Sequence, residues 1–283
     1  MTAGRGDRGI TIEAVTLLGD VVARFGLGHG IDPATALAGL GWSYLGAKTA
    51  FQVPGEAGPT IRVAVAGGVG EAGGVGRVGE AGGVGDAGDA DEMAIGEVGA
   101  GAERVEGSTR QPAGVTRLPL HAPSEVVPEG VTVTRRQRLA AYAVVVREGR
   151  ILLTQLSDRV AGGGRGAWTL PGGGVEEGED PAIGLRREVW EETGQHLGEV
   201  TLVDLLASHW TGSAPSGQWE DYQVVRLVYR ATIPAPSEIV VHDVGGTTAA
   251  ARWVPVRQLD GLRRGALLLG DPFTTWLDTF TRA

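Results

Sequence analysis

The chain has 283 residues, with 34 Asp and Glu against 25 Lys and Arg, a formal charge of −9, and no cysteine. The acidic excess, heaviest in the first 130 residues, argues against a basic nucleic-acid-binding arm but not against a nucleotide substrate, whose phosphates a metal ion can offset. Disulfides, thiolate metal sites and a Cys nucleophile are excluded. No stretch nears the ~18 apolar residues of a membrane span, so no membrane partner is expected and a cytoplasmic protein is.

In residues 1–60, Ile10, Ala14, Leu17, Leu18, Val21, Val22 and Phe25 fall near a 3.6-residue period, which predicts a helix. Gly26 and Gly28 would end it, and Asp32-Pro33 would cap and open a second helix. The expectation is a small helical N-terminal segment. Thr60 to Val65 has the texture of a buried strand and is followed by a Gly-x-Gly-x-x-Gly pattern at 68–73. That pattern recurs because Ala-Gly-Gly-Val-Gly repeats at 66–70, 72–76 and 81–85, so it is no dinucleotide fingerprint. The repeat, the acidic patch from Asp86 to Glu92 and Pro112, Pro119, Pro123 and Pro128 make residues 61–130 an expected flexible linker. On this reading a chain starting near Arg135 should fold and keep its activity. A role for the N-terminal helices in completing the core or a homodimer contact is the alternative.

Residues 131–283 carry denser folding signals. Leu139–Val146 and Ile151–Leu156 form a hairpin pattern around Glu148-Gly149. Trp168–Leu170 is a short strand leading into Pro171-Gly-Gly-Gly174. A helix is predicted from Pro181 to Thr193, with Asp180 as N-cap and Gly194 in the C-terminal turn. Strands follow at 200–208, 222–233 and 251–254. A last helix from Pro272 puts Phe273, Trp276, Leu277 and Phe280 on one face.

The helix at 181–193 carries the chemistry. Ala182, Leu185 and Val189 share one arc, and Glu188, Glu191 and Glu192 form a second arc beside it. Three carboxylates on one face repel and weaken a helix, so they need compensation. Arg187 supplies part of it. A hard divalent cation such as Mg²⁺ or Mn²⁺ would supply more.

Gly173-x5-Glu179-x7-Arg187-Glu188-Val189-x-Glu191-Glu192-x-Gly194 resembles the signature box of the Nudix (MutT-type) hydrolases at every position but the last, where Gln195 replaces an aliphatic residue. Trp168-x-Leu170-Pro171-Gly172-Gly173 and Ala251-Arg-Trp253-Val-Pro255 are also similar to this family, and the resemblance covers about residues 135–262. It implies an α/β/α sandwich around a mixed sheet. It implies Mg²⁺ or Mn²⁺ on Glu188, Glu191 and Glu192, oriented by Arg187, with Glu179 supporting the loop or acting through water. Gly172, Gly173 and Gly174 would let the backbone approach phosphates. The implied reaction is metal-dependent hydrolysis of a phosphoanhydride bond in a nucleoside diphosphate linked to another moiety: a nucleoside triphosphate, an ADP-ribose-like compound or a nucleotide sugar. The implied partner is thus a small-molecule nucleotide.

Other candidates lie around the box. Glu220 or Asp221 could act as base from the loop before Tyr222. Trp210, Trp219 and Tyr222 could stack on a nucleobase. Arg159 and Arg165, in the glycine-rich tract 157–166, could contact phosphate. His196 and His209 find no partner by spacing. The rival function is a non-catalytic nucleotide sensor on the same fold, but no DNA-binding module is apparent beside the domain. The absence of cysteine argues against an isomerase.

Overall fold

A computed structural model describes residues 9–67, 124–160, 164–214, 217–268 and 270–281. The first part is a four-stranded sheet, not a pair of helices. Strands β1 (Thr11–Val15), β2 (Val21–Gly26), β3 (Trp42–Phe51) and β4 (Thr60–Gly67) lie in the order β2-β1-β4-β3, with β1 and β4 parallel. The expected helix over residues 10–25 is overturned by the period-2 pattern within the same residues. Ile10, Ile12 and Ala14 are fully buried, whereas Leu17 and Leu18, needed for a helical stripe, are 73% and 92% exposed in the β1–β2 turn. β-Branched Thr11, Ile12, Val15, Val21 and Val22 favour the pleated alternative. The second helix is present as α1 (Pro33–Gly39), where the Asp32 carboxylate accepts from Thr35 N at 3.0 Å and Pro33 fills the first turn.

The anticipated strand at 60–65 is β4, so residues 61–67 belong to a sheet and not to a linker. The glycine repeat and acidic patch lie outside the described residues.

The second part contains β5 (Val133–Val144), β6 (Val146–Arg147), β7 (Arg150–Leu156), β8 (Trp168–Thr169), β9 (Gly172–Gly174), α2 (Pro181–Thr193), β10 (Val200–Ser213), β11 (Trp219–Ala231), β12 (Thr248–Pro255) and α3 (Asp271–Thr281). One sheet has the order β10-β11-β5-β9 and is mixed, since β11 and β5 are parallel and the other pairs antiparallel. The other is β12-β7-β6, with β8 on β7. The hairpin turns at Glu148 and Gly149, both with positive φ.

Alternate residues of β5, β7, β11 and β12 go to opposite cores, as strand geometry requires. Ala143, Leu152, Leu227 and Trp253 meet Leu185 and Val189 of α2; Val144, Ile151, Val228 and Val254 meet Phe273 and Trp276 of α3. The helix–sheet–helix layering is the expected α/β/α arrangement. Among the described residues, no helix is long and apolar enough to cross a membrane.

The N-terminal sheet is built into this body. Ile10, Ile12, Leu37, Ile61 and Val63 share one core with Leu139, Val225 and Leu227. Tyr44 Oη donates to Asp204 at 3.1 Å, and Gly30 N donates to Gln223 Oε1 at 3.1 Å. A cut near Arg135 would bare this core and remove the start of β5.

Candidate active site

The site is assembled around the N-terminal half of α2. Asp180 accepts from Ala182 N at 2.9 Å, Pro181 fits the first turn, and Gly194 closes the helix at φ 69°. Leu185 and Val189 are fully buried, contributing about 1.5–3 kcal/mol each. They fix the rotation of the helix and hence the directions of Glu188, Glu191 and Glu192.

Strand β9 meets the helix through its glycines. Gly172 has φ 131°, and a Cβ there would overlap the Ala141 carbonyl of β5. A Cβ at Gly173 would overlap the Glu188 carboxylate, and one at Gly174 would crowd the Arg138 guanidinium at 2.9 Å. Gly172 is required by its backbone conformation and by the Ala141 carbonyl, whereas side chains at 173 and 174 would displace Glu188 and Arg138.

Arg187 is the hub of the acids. Its Nε and Nη2 each donate to Glu179 at 3.0 Å, and Nη2 also donates to the Gly174 carbonyl at 2.9 Å. Its Nη1 donates to Glu188 at 2.9 Å and Glu191 at 3.3 Å. The hydrogen bonds from Arg187 hold the Glu179 carboxyl below the ordinary carboxylate range. Glu188 moves the other way, because burial outweighs Arg187 and the Glu191 charge adds to it.

Glu192 is the most perturbed acid. It is 6% exposed, accepts from Gly172 N at 2.8 Å and from the Thr248 hydroxyl, and burial pushes its pKa up to about 8. Glu188 and Asp243 add repulsion. A buried carboxyl that resists ionisation beside other acids fits a site completed by a divalent cation. The donors of Glu188, Glu191 and Glu192 are nevertheless not drawn together within 4.8 Å of one another among the described residues. Glu191, held by Arg187, is the most exposed of the three.

Facing Glu188 is a cationic and aromatic wall whose arginines sequence reasoning missed, although Trp210 and Tyr222 were among its candidates. Arg138 of β5 interacts with Tyr142, Tyr222 and Glu188, which together raise its pKa against the effect of burial. Burial lowers that of Arg226 on β11, whose Nη1 donates to Ser208 at 2.6 Å. Trp210 and Tyr222 pack with ring centroids 4.6 Å apart and planes tilted by 45°. The signal was present as Arg136-x-Arg138 and Tyr222-x3-Arg226. Its meaning depended on β5 and β11 being parallel neighbours, which no local pattern states.

The remaining candidates divide. Strand alternation puts Trp219 on the face of β11 opposite Tyr222. Asp221 shares that opposite face, where it contacts His209 and His29. Glu220 pairs with Arg136 at 2.7 Å. Arg159 is exposed and lies beside Gly245, near the Asp243–Thr248 segment that touches Glu192. Arg165 pairs with Asp158 at 3.0 Å. Gln195 is fully buried: its Nε2 donates to Ser237 O at 3.0 Å and its Oε1 accepts from Ser237 N at 3.1 Å. A polar residue thus replaces the aliphatic one because it fastens the 237–238 segment.

The NUDIX domain family model matches residues 136–277, half of the chain. The chain belongs to the Nudix hydrolase family. A MutT-like protein of Streptomyces ambofaciens is 43% identical over 68 residues, 24% of this chain and 40% of that protein. The chain therefore spans less than half the length of that relative. The nucleoside triphosphatase NudI of Escherichia coli is 31% identical over 110 residues, 38% of this chain and 77% of that protein. Among solved structures, a MutT NUDIX hydrolase from Burkholderia pseudomallei is 28% identical, with a TM-score of 0.36, covering 51% of this chain and 98% of the other.

Proposed function

We propose that this Nudix protein hydrolyses a phosphoanhydride bond in a nucleoside diphosphate linked to another moiety, with Mg²⁺ or Mn²⁺ held by Glu188 and Glu192 and assisted by Glu191. The observation that carries this reading is the buried Glu192, bonded to Gly172 N, beside a Glu188 whose carboxylate lies against Gly173 and interacts with Arg138. The similarity to a protein named nucleoside triphosphatase supports the bond class.

When bound, such a cation supplies charge neutralisation of the diphosphate and acidification of water. The chain's own residues do the rest. Arg187 holds Glu179, Glu188 and Glu191 in register. Arg138 and Arg226 offer charge-assisted hydrogen bonds to phosphate oxygens. Tyr222, backed by Trp210, offers a stacking surface for a base. Arg159 and the Gly172–Gly174 backbone would add phosphate contacts, whereas Trp219 lies on the other face of β11. Water enters at one phosphorus and two phosphate-bearing products leave.

The test is a panel of nucleoside triphosphates, ADP-ribose and nucleotide sugars with Mg²⁺, read by phosphate and nucleotide release. At least one class should turn over, with a loss of about 100-fold or more in Glu188→Gln and in Glu192→Gln. Nucleotide binding without hydrolysis of any member would refute the enzymatic reading and favour a sensor.

A further inference from the structure

The described residues contain one cluster in which three metal-ligating side chains bring a donor atom each within 4.8 Å of the others: His29, His209 and Asp221. His29 follows β2 of the N-terminal sheet, His209 is on β10 and Asp221 on β11. Asp221 lies on the face of β11 opposite Tyr222, and none of the three belongs to the box at 173–195. We propose that these residues form a second divalent-cation site, of the nitrogen-rich zinc class, that ties the N-terminal sheet to β10 and β11.

The first argument is the state of His29. Its side chain is 5% exposed, yet neither ring nitrogen makes a hydrogen bond among the described residues. Leaving such a group without a partner costs about 1–3 kcal/mol. Its Nε2 lies 3.4 Å from Asp221 Oδ1, outside hydrogen-bond geometry. Zinc bonds of about 2.0–2.1 Å at tetrahedral angles separate neighbouring donors by about 3.3 Å. The spacing suits two ligands of one ion better than it suits a direct bond.

The other two ligands are hydrogen-bonded to each other, a contact that a bound ion would replace. His209 Nε2 contacts the same Asp221 Oδ1. The two imidazoles meet edge to face, with centroids 5.4 Å apart and planes at 89°, so they do not stack. Asp221 Oδ2 is turned to Arg135, whose Nε is 3.7 Å away, which leaves Oδ1 as the single carboxylate ligand. Two imidazoles and one carboxylate form a donor set suited to Zn²⁺ and its neighbours, not to Mg²⁺ or Ca²⁺, and water would fill a fourth position.

The surrounding loop is held in place. Gly30 N donates to Gln223 Oε1 at 3.1 Å, and Gln223 Nε2 returns a bond to Ile31 O at 2.9 Å. Gln137 Nε2 donates to the same Gln223 Oε1 at 2.9 Å. Gly30, at φ 76°, lies against the His209 ring, where a Cβ would be 3.5 Å from it. Buried amides therefore set the loop that carries His29 before any ion arrives, and this preorganisation favours binding.

The experiment is calorimetric titration of the full chain with Zn²⁺ in excess Mg²⁺, together with the visible spectrum of the Co²⁺ form. Wild type should take up one Zn²⁺ that Mg²⁺ does not displace and should show four-coordinate Co²⁺ absorption. Both should persist in the Glu188→Gln/Glu192→Gln double variant, which separates this site from the box. His209→Asn and Asp221→Asn, at partly exposed positions, should weaken Zn²⁺ by about 100-fold or more and lose the Co²⁺ bands, with an unchanged metal-free far-UV CD spectrum. Zn²⁺ should raise the melting temperature of wild type and not of either variant. No Zn²⁺ uptake by wild type, or equal uptake by wild type and both variants, would overturn the proposal.

Discussion

Glu192→Gln should abolish a pH dependence of stability that wild type shows only without metal. The folded-state pKa of Glu192 is raised from 4.5 to about 8 because the carboxyl is buried. The folded protein then binds a proton that the unfolded chain releases, so stability falls with rising pH between those values. The contribution is fully present below about 4.5 and is lost as pH rises through about 8. At about 1.4 kcal/mol per pH unit, the span has a ceiling near 5 kcal/mol, and relaxation around the charge should leave about half. Glutamine is neutral throughout and can replace the carboxyl: its Oε1 can accept from Gly172 N while its amide donates to the Thr248 hydroxyl. A divalent cation should replace the proton, so Mg²⁺ should stabilise wild type more at pH 8.5 than at pH 6, by about 2.7 kcal/mol at a hundredfold excess over its dissociation constant. The assay is urea unfolding followed by tryptophan fluorescence from pH 5 to 9, in chelator and in Mg²⁺. Parallel pH profiles for the two proteins in chelator would refute the assignment of the burial effect to Glu192. Equal Mg²⁺ gains at pH 6 and 8.5 would refute the exchange of proton for metal.

Three further outcomes are expected. Arg138→Ala and Arg226→Ala should each weaken kcat/KM on the best substrate by about 10–100-fold, mainly through KM, as befits a lost charge-assisted hydrogen bond; steady-state kinetics with unchanged KM would remove these residues from the phosphate site. A chain beginning at Glu129 should unfold non-cooperatively or aggregate, because Leu139, Val225 and Leu227 lose the packing of Ile12, Ile61 and Val63; a cooperative melt equal to full length would show that the N-terminal sheet is an appendage. Gln195→Leu should cost about 1–3 kcal/mol by leaving Ser237 N without its buried acceptor; a neutral or stabilising effect in urea unfolding would show that packing, not hydrogen bonding, decides this position.

The box was legible because its constraints are local. Asp180, Pro181 and Gly194 mark the ends of α2, and the apolar and acidic arcs follow from helix geometry alone. The wall opposite was not, because Arg138 and Arg226 are 88 positions apart in sequence and meet only through the parallel pairing of β5 with β11. Parallel neighbours leave no turn signal in the residues that pair.

The N-terminal misreading has a physical cause with consequences for the site. Ile10, Ala14, Leu17, Leu18, Val21, Val22 and Phe25 satisfy a helical period only if Leu17, Leu18 and Val21 are counted, and all three are exposed. Ile10, Ile12 and Ala14 satisfy the strand period and are the residues that are buried. What decides between the periods is the existence of a partner surface, here the face of β5 and β11 that α2 leaves uncovered. That face carries Gln137, Gln223 and Asp221, polar groups that would be solvated in a Nudix domain standing alone. The two amides, buried under the loop at His29, need partners, and the Gln137–Gln223–Gly30 network supplies them. The N-terminal sheet and the polar face of β11 therefore account for each other: neither the strand pattern at 10–14 nor the buried amides Gln137 and Gln223 are explained without the other.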